Sequence, residues 1–234
     1  MGRKKDQIMN IAIVLSGGTG TRLGAEVPKQ YIQVNGKTII SYCLDVLESC
    51  EQIDAVQIVA DTSWHDVILE SKMQKFKGFS KPGENRQRSI FNALEDIKGY
   101  AKEDDVVIIH DAARPCVSEE VFIDLINACK EHDGALPVLP MKDTVYLSED
   151  GRSITSLLNR SQIFAGQAPE AFHFGKYYEA NMRLLLNEIL EINGSTEPAV
   201  MAGMDVAMIS GDEKNFKITT VEDLERFWQL AEEV

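Results

Sequence analysis

Asn10-Ile11-Ala12-Ile13-Val14-Leu15-Ser16-Gly17-Gly18-Thr19-Gly20-Thr21-Arg22 is the stretch on which the fold turns. The run from Ile11 to Leu15 is apolar without alternation, the pattern of a strand buried on both faces of a parallel sheet. It ends at Gly17, Gly18 and Gly20, so the strand feeds a tight loop whose peptide N–H groups can close on an anion.

Working outward, the same logic predicts further strands at residues 55–60, 105–110, 134–139 and 206–210. Helical spacing predicts helices at 38–49, 64–76, 88–97, 118–132, 174–191 and 221–233, with Ser118 placed to cap the one it opens. Strands alternating with helices imply an α/β fold with a three-layer, mostly parallel, Rossmann-like sheet. Residues 145–163 break that rhythm: they are polar, carry a turn signal at 149–151, and read as a β-hairpin. Residues 1–9 read as a disordered leader, and 10–234 as one domain with an arm inserted at about 143–165. Ligands of such sheets gather at the carboxyl ends of the strands, where the chemistry-bearing residues fall.

The composition bounds the function. A net charge of −13 disfavours a nucleic-acid binder, which needs a basic face. No apolar run approaches the roughly 20 residues of a membrane span, and no secretory signal precedes the first strand, so a cytoplasmic protein is expected. The four cysteines, Cys43, Cys50, Cys116 and Cys129, have no zinc spacing and read as reduced packing residues.

The glycine loop is followed by Pro28-Lys29-Gln30. Arg22 can fork onto phosphate oxygens, and Lys29 adds a point charge beside it. The bland alternative is a plain strand-to-helix turn. Neither familiar phosphate loop is present: no Gly-Lys-Ser/Thr occurs at Walker spacing, and a dinucleotide fingerprint started at Gly18 meets Leu23 at its last glycine. A nicotinamide-dependent reductase thereby loses its main support.

Three further stretches carry chemistry. In Pro82-Gly83-Glu84-Asn85-Arg86-Gln87-Arg88-Ser89, Gly83 allows close approach to a base while Arg86 and Ser89 supply donors; otherwise this is a solvated basic turn with Ser89 as helix cap. His110-Asp111-Ala112-Ala113-Arg114-Pro115 puts an aspartate at a strand's carboxyl end, suited to magnesium, or to a water on it, bridging nucleotide phosphates. The alternative is an Asp111–Arg114 ion pair. In Asn215-Phe216-Lys217-Ile218-Thr219-Thr220, either threonine can cap the next helix, which leaves Lys217 unexplained.

Taken in order from Ile11 to about Ala231, these four motifs resemble the 2-C-methyl-D-erythritol 4-phosphate and D-ribitol 5-phosphate cytidylyltransferases. Pro82 stands where that pattern usually has glycine. The resemblance implies transfer of a cytidylyl group from CTP to a polyol phosphate, with Mg2+ and release of pyrophosphate. It implies that Arg22, Lys29 and Lys217 are catalytic. Ser16, Gly17, Gly18, Thr19, Gly20, Thr21, Gly83, Arg86, Ser89, Asp111 and Ala112 would bind the nucleotide, with Asp111 also the metal's protein partner.

It further implies a homodimer in which the arm brings Thr144 and Arg160 to the neighbouring subunit's acceptor, with Arg114 and Thr196 also on the acceptor side. For that acceptor, Pro28-Lys29-Gln30-Tyr31 and the Asp111 motif look like the methylerythritol enzymes. Gly166-Gln167-Ala168-Pro169, the Val145-Tyr146 that follows Thr144, and Ser195-Thr196-Glu197-Pro198-Ala199 depart from them toward a ribitol 5-phosphate or related surface-polymer polyol phosphate. A nucleotide-sensing domain on the same scaffold is the non-enzymatic alternative, and retention of Arg22, Lys29, Asp111 and Lys217 speaks against it.

Overall fold

The computed structural model describes residues 7–18, 27–185 and 188–231. At its centre is an eight-stranded sheet. Strand β1 (Asn10–Leu15) lies between β4 (Ala55–Val59) and β6 (Val106–Asp111), parallel to both. On the far side of β4, β5 (Phe76–Ser80) closes one edge, again parallel. Beyond β6 the antiparallel β11 (Glu170–His173) separates it from β7 (Gly134–Pro140), and β12 (Val206–Ser210) runs parallel along β7. β10 (Phe164–Gly166) continues the line of β11 along β7. Two small hairpins stand apart: β2 (Gln33–Val34) with β3 (Lys37–Thr38), and β8 (Tyr146–Leu147) with β9 (Ser156–Leu157).

Successive side chains of a strand point to opposite faces, so β1 feeds two cores at once. Ala12 and Val14 join Val56, Ile58 and Ile108 under Leu44 and Leu47 of α1 (Ile39–Ser49) and Phe122 and Leu125 of α4 (Glu119–Ala128). Ile11 and Ile13 join Val59, Val107 and Ile109 under Ile90, Leu94 and Ile97 of α3 (Arg86–Ile97) and Tyr177 of α5 (Phe174–Arg183). With apolar layers on both faces, the expected three-layer sheet is what the chain forms. Phe122 is 0% exposed, and Phe122→Ala would cost about 3–5 kcal/mol in lost transfer energy and cavity.

Several expectations need correction. The helix predicted over 64–76 is only α2 (His65–Leu69), because Lys72 takes φ of 52° and turns the chain into β5. β5 was hidden from the sequence because it is a half-exposed edge strand with Gly78 inside it. The helix predicted over 174–191 ends at Arg183, and the antiparallel β11 precedes it unforeseen. A short α6 (Glu197–Met201) was also missed. Ser118 holds the N-cap position of α4 without a capping hydrogen bond from its side chain. Asn85, not Ser89, caps α3: its side chain accepts from Arg88 N at 2.7 Å.

The interruption at 145–163 is the β8–β9 hairpin, turned at Asp150, whose carboxylate accepts from Arg152 N and Ser153 N. Residues 1–6 of the expected leader lie outside the described residues; at its other end Met9 N already donates to Asp105. Among the described residues no helix is long and apolar enough to cross a membrane. All four cysteines are free thiols, three of them buried.

Candidate active site

Between β1 and β6 the chain reverses the side of the sheet on which it adds strands, and a crevice opens there at the carboxyl ends. Leu15 and Asp111 are register partners at its mouth. The cavity, about 430 Å³, is lined by Gly17, Gly18, Lys29, Gly83, Arg86, Ser89, Asp111 and Lys217 among others. All four motifs therefore converge, although they are scattered along the chain.

The glycine loop is braced from below. Gln30 Nε2 donates to the carbonyls of Ser16 at 2.7 Å and Gly18 at 2.8 Å. Ser16 Oγ meets the Tyr31 hydroxyl at 2.7 Å, so Ser16 is a buried brace and not a lining residue. Burial pushes the Tyr31 phenol up to about 12, which keeps it neutral as a partner. A Cβ on Gly17 would lie 2.7 Å from the Pro82 ring. The Pro82 that replaces a glycine of the family pattern thus packs directly on the loop. Thr19, Gly20, Thr21 and Arg22 lie outside the described residues.

On the next loop, Ser89 Oγ accepts from Gly83 N and donates to Asn85 O, both at 2.9 Å, holding Gly83 at the cavity wall. Ala112 is 1% exposed and its N–H donates to Leu15 O; the wall position is taken by Ala113.

Asp111 is the electrostatic hub. Arg86 reaches Oδ1 at 3.0 Å, Lys217 reaches Oδ2 at 2.9 Å, and Arg114 stands at 3.8 Å. Burial alone would raise this carboxyl, but the surrounding cations outweigh it and hold Asp111 far below the usual carboxylate range. Burial likewise opposes the charge on Arg86, yet Asp111 and Glu170 raise it above its ordinary value. At Arg114, farther from Asp111, burial wins and the guanidinium is lowered. The Asp111–Arg114 pair foreseen from sequence is the weakest of the three contacts.

Lys29 Nζ donates to the carbonyl of Ile218, and Ile218 N donates to Ala113 O, so the backbone of one residue ties three motif loops together. Asn215 holds the Lys217 loop by donating to Ala168 O at 2.8 Å and accepting from Arg114 Nη1 at 2.7 Å. Thr220 caps α7 (Val221–Ala231): its Oγ1 accepts from Asp223 N, and the Asp223 carboxylate accepts from Thr220 N. Gln30, Asn215, Glu170 and Ser195 are site residues to which sequence reasoning assigned no role. Motif neighbours signalled Gln30, Asn215 and Ser195, and nothing signalled Glu170.

The expected acceptor residues divide. Arg114 touches the hub, and Thr196 lies beside it, donating to Glu170. Thr144 and Arg160 are exposed on the arm, where Arg160 donates to Lys142 O, and neither lines the cavity of its own chain. No three His, Cys, Asp or Glu residues cluster as a metal cage among the described residues. The donor set still suits Mg2+, which commonly takes one or two carboxylates and is otherwise held by substrate phosphates. Asp111 and Glu84 are the carboxylates among the residues that line the cavity.

The family model of 2-C-methyl-D-erythritol 4-phosphate cytidylyltransferase matches residues 10–231. A ribitol-5-phosphate cytidylyltransferase of Lacticaseibacillus paracasei is 32% identical over 225 residues, spanning 94% of this chain and 96% of its own. A 2-C-methyl-D-erythritol 4-phosphate cytidylyltransferase of Clostridium botulinum is 35% identical over 217 residues, spanning 91% and 95%. The crystal structure of the Francisella tularensis 2-C-methyl-D-erythritol 4-phosphate cytidylyltransferase superposes with a TM-score of 0.81 at 29% identity, covering 94% of this chain and 99% of that one.

Proposed function

The chain belongs to the 2-C-methyl-D-erythritol 4-phosphate cytidylyltransferase family and is a cytidylyltransferase, and from that premise we propose that its acceptor is ribitol 5-phosphate or a closely related polyol phosphate. The observation that carries the chemistry is the convergence of Lys29, Lys217 and Arg86 on one cavity around Asp111. The acceptor reading is supported by the four ribitol-5-phosphate relatives at 32% identity and by the segment Ser195-Thr196-Glu197-Pro198-Ala199, which departs from the methylerythritol pattern.

In the proposed reaction an oxygen of the acceptor's phosphate attacks the α-phosphorus of CTP in line. One P–O bond forms, the bond to the β-phosphate oxygen breaks, and pyrophosphate leaves. A phosphate monoester is already anionic near neutral pH, its second pKa being about 6, so no general base is needed. Catalysis then rests on positioning and on charge stabilisation. Lys29 and Lys217, with Arg22, neutralise charge gathering on the α-phosphate and on the departing pyrophosphate. Gly83 and Ser89 shape the wall for the base. Mg2+, when bound, neutralises triphosphate oxygens; Asp111 is the residue that would hold it, directly or through water.

Thr144 and Arg160, exposed and remote from their own cavity, are proposed to complete the acceptor site of a second copy in a homodimer. That reading is supported by the exposed apolar side chains of the arm, Tyr146, Leu147, Ile154 and Leu157.

A second acceptor, 2-C-methyl-D-erythritol 4-phosphate, is favoured by the relatives at 34–35% identity that carry its name. Pyrophosphate release with CTP separates the two readings when ribitol 5-phosphate, methylerythritol phosphate and glycerol phosphate are compared. A kcat/KM highest for ribitol 5-phosphate is expected. Preference for methylerythritol phosphate would replace the first reading by the second, and inactivity with all three would overturn both.

A further inference from the structure

The loop that carries Lys217 is held from a side of the fold that the reaction as described leaves unused. Gln167 follows β10, the strand on which the chain returns from the arm, and its own N–H donates to Pro137 O of β7 at 2.8 Å. Gln167 is 7% exposed and stands outside the lining of the cavity. Its carboxamide faces the loop instead. Nε2 donates to Asp212 O at 2.9 Å and reaches Asn215 O at 3.4 Å, while Oε1 accepts from Asp212 N at 3.1 Å. Asn215 answers in kind, donating through Nδ2 to Ala168 O at 2.8 Å. A Cβ on Gly211 would lie 2.6 Å from Gln167 Oε1 and 2.9 Å from Val138 O, so the glycine leaves room for the amide.

Asp212 turns one donor and one acceptor toward the same side chain. A carboxamide meets both without bringing a charge, and an apolar or acceptor-only side chain leaves one or both unmade. The effect reaches Lys217 through the backbone. Asn215 lies two residues before it, held at its carbonyl by Gln167 and by Arg114 Nη1 at 2.7 Å. Ile218 lies directly after it, its N–H held by Ala113 O. The Lys217 side chain is itself 35% exposed, and a lysine stem is rich in rotamers. Where its ammonium comes to rest therefore depends on how firmly those flanking residues are fixed.

We propose that Gln167 is a positioning residue for Lys217: its carboxamide joins the strand on which the chain returns from the arm to the loop that bears this cation, and so sets where the ammonium meets the phosphates. The inference rests on the reading of Lys217 as a cation that neutralises charge at the α-phosphate and the departing pyrophosphate. Gln167 acts through the backbone of the loop and touches no reacting atom.

The test is a double-mutant cycle in the full-length protein with CTP, Mg2+ and the preferred polyol phosphate, read as pyrophosphate release. Lys217→Ala should lower kcat about 10²-fold, the scale of one transition-state donor, and leave a residual rate to compare. Gln167→Met keeps the length of the side chain and removes its hydrogen bonds. Alone it should lower kcat about 10-fold, with the KM for CTP within about 3-fold of wild type. In the Lys217→Ala background the same change should cost less than about 2-fold, because the cation it positions is gone. Urea unfolding measures any loss of stability separately, and a merely structural role would lower kcat by the same factor in both backgrounds. Gln167→Glu keeps the shape but gives up at least one of the two donations, and it takes the place of Gln167→Met should that variant fail to fold. Equal factors in the two backgrounds, or wild-type kcat in a folded Gln167 variant, overturn this assignment alone. Wild-type turnover in Lys217→Ala overturns the assignment together with the reading of Lys217 beneath it.

Discussion

Asp111 Oδ2 and Lys217 Nζ meet at 2.9 Å across 106 residues of sequence. The contact joins the carboxyl end of a central strand to a loop near the end of the chain, and Arg86 holds the other oxygen of the same carboxylate. The cations proposed to meet the nucleotide are thus kept in place by one nearly buried anion, which offsets their mutual repulsion.

Removing that anion should therefore cost stability as well as function. Asp111→Asn leaves Arg86, Arg114 and Lys217 facing one another without their counter-charge. Breaking a buried ion pair from one side costs about 3–5 kcal/mol. Urea unfolding should show a loss of this order, and an unchanged midpoint would refute the role of Asp111 as hub.

Lys29 should behave differently. Its ammonium stands at the cavity wall and donates to the Ile218 carbonyl. Lys29→Ala should cut turnover by about 10² or more, the scale of losing one transition-state donor, with little change in unfolding midpoint. Wild-type turnover in this variant would remove Lys29 from the mechanism.

The proposed homodimer makes a prediction of its own. Lys29→Ala and Arg160→Ala should each be inactive alone and regain activity when mixed and allowed to exchange subunits. A heterodimer then holds one site with both residues intact. Random exchange makes about half the molecules heterodimers with one working site of two, which is roughly a quarter of wild-type activity. A mixture that exchanges subunits yet stays inactive would place Arg160 in its own chain's site, and sedimentation as a monomer would exclude the shared site.

His110 sets a pH dependence of stability. Burial holds the imidazole neutral and pushes its pKa down to about 4, against an ordinary value of about 6.5. Between those values the unfolded chain binds a proton that the folded chain refuses, so stability falls as pH falls through this window and is fully present above it. At about 1.4 kcal/mol per unit the loss is on the order of 3 kcal/mol. Glu170, raised by burial, acts in the opposite sense, and Asp111 contributes only at lower pH. The slope that wild type shows in urea unfolding from pH 7 to 4.5 should be largely absent in His110→Gln. An equal slope in the two proteins would show that His110 does not set it.

Much of this protein is written locally. The apolar run of β1, the glycines after it, Lys29, the Asp111 motif and Lys217 mark a parallel α/β sheet with an anion-binding mouth, because strand burial and backbone approach to phosphate are demands made on neighbouring residues. The arm was legible for the converse reason: 145–163 lacks the apolar pattern that any layer of the sheet would require.

Other features had no local signature. β5 is a half-exposed edge strand, and the four residues of β11 run against the direction of the strands beside them. Gln30 is an ordinary polar residue until the glycine loop's carbonyls arrive at its amide, and Glu170 until Thr196 and Arg86 close on it. The tertiary structure alone decided which cation holds Asp111 most closely, and that Arg114, the partner of the alternative reading, stands off at 3.8 Å. Charge type is a property of the residue and is visible in sequence. Distance is set by the register of β6 against β1 and by loops anchored more than 100 residues apart, and an ion pair's strength depends on that distance.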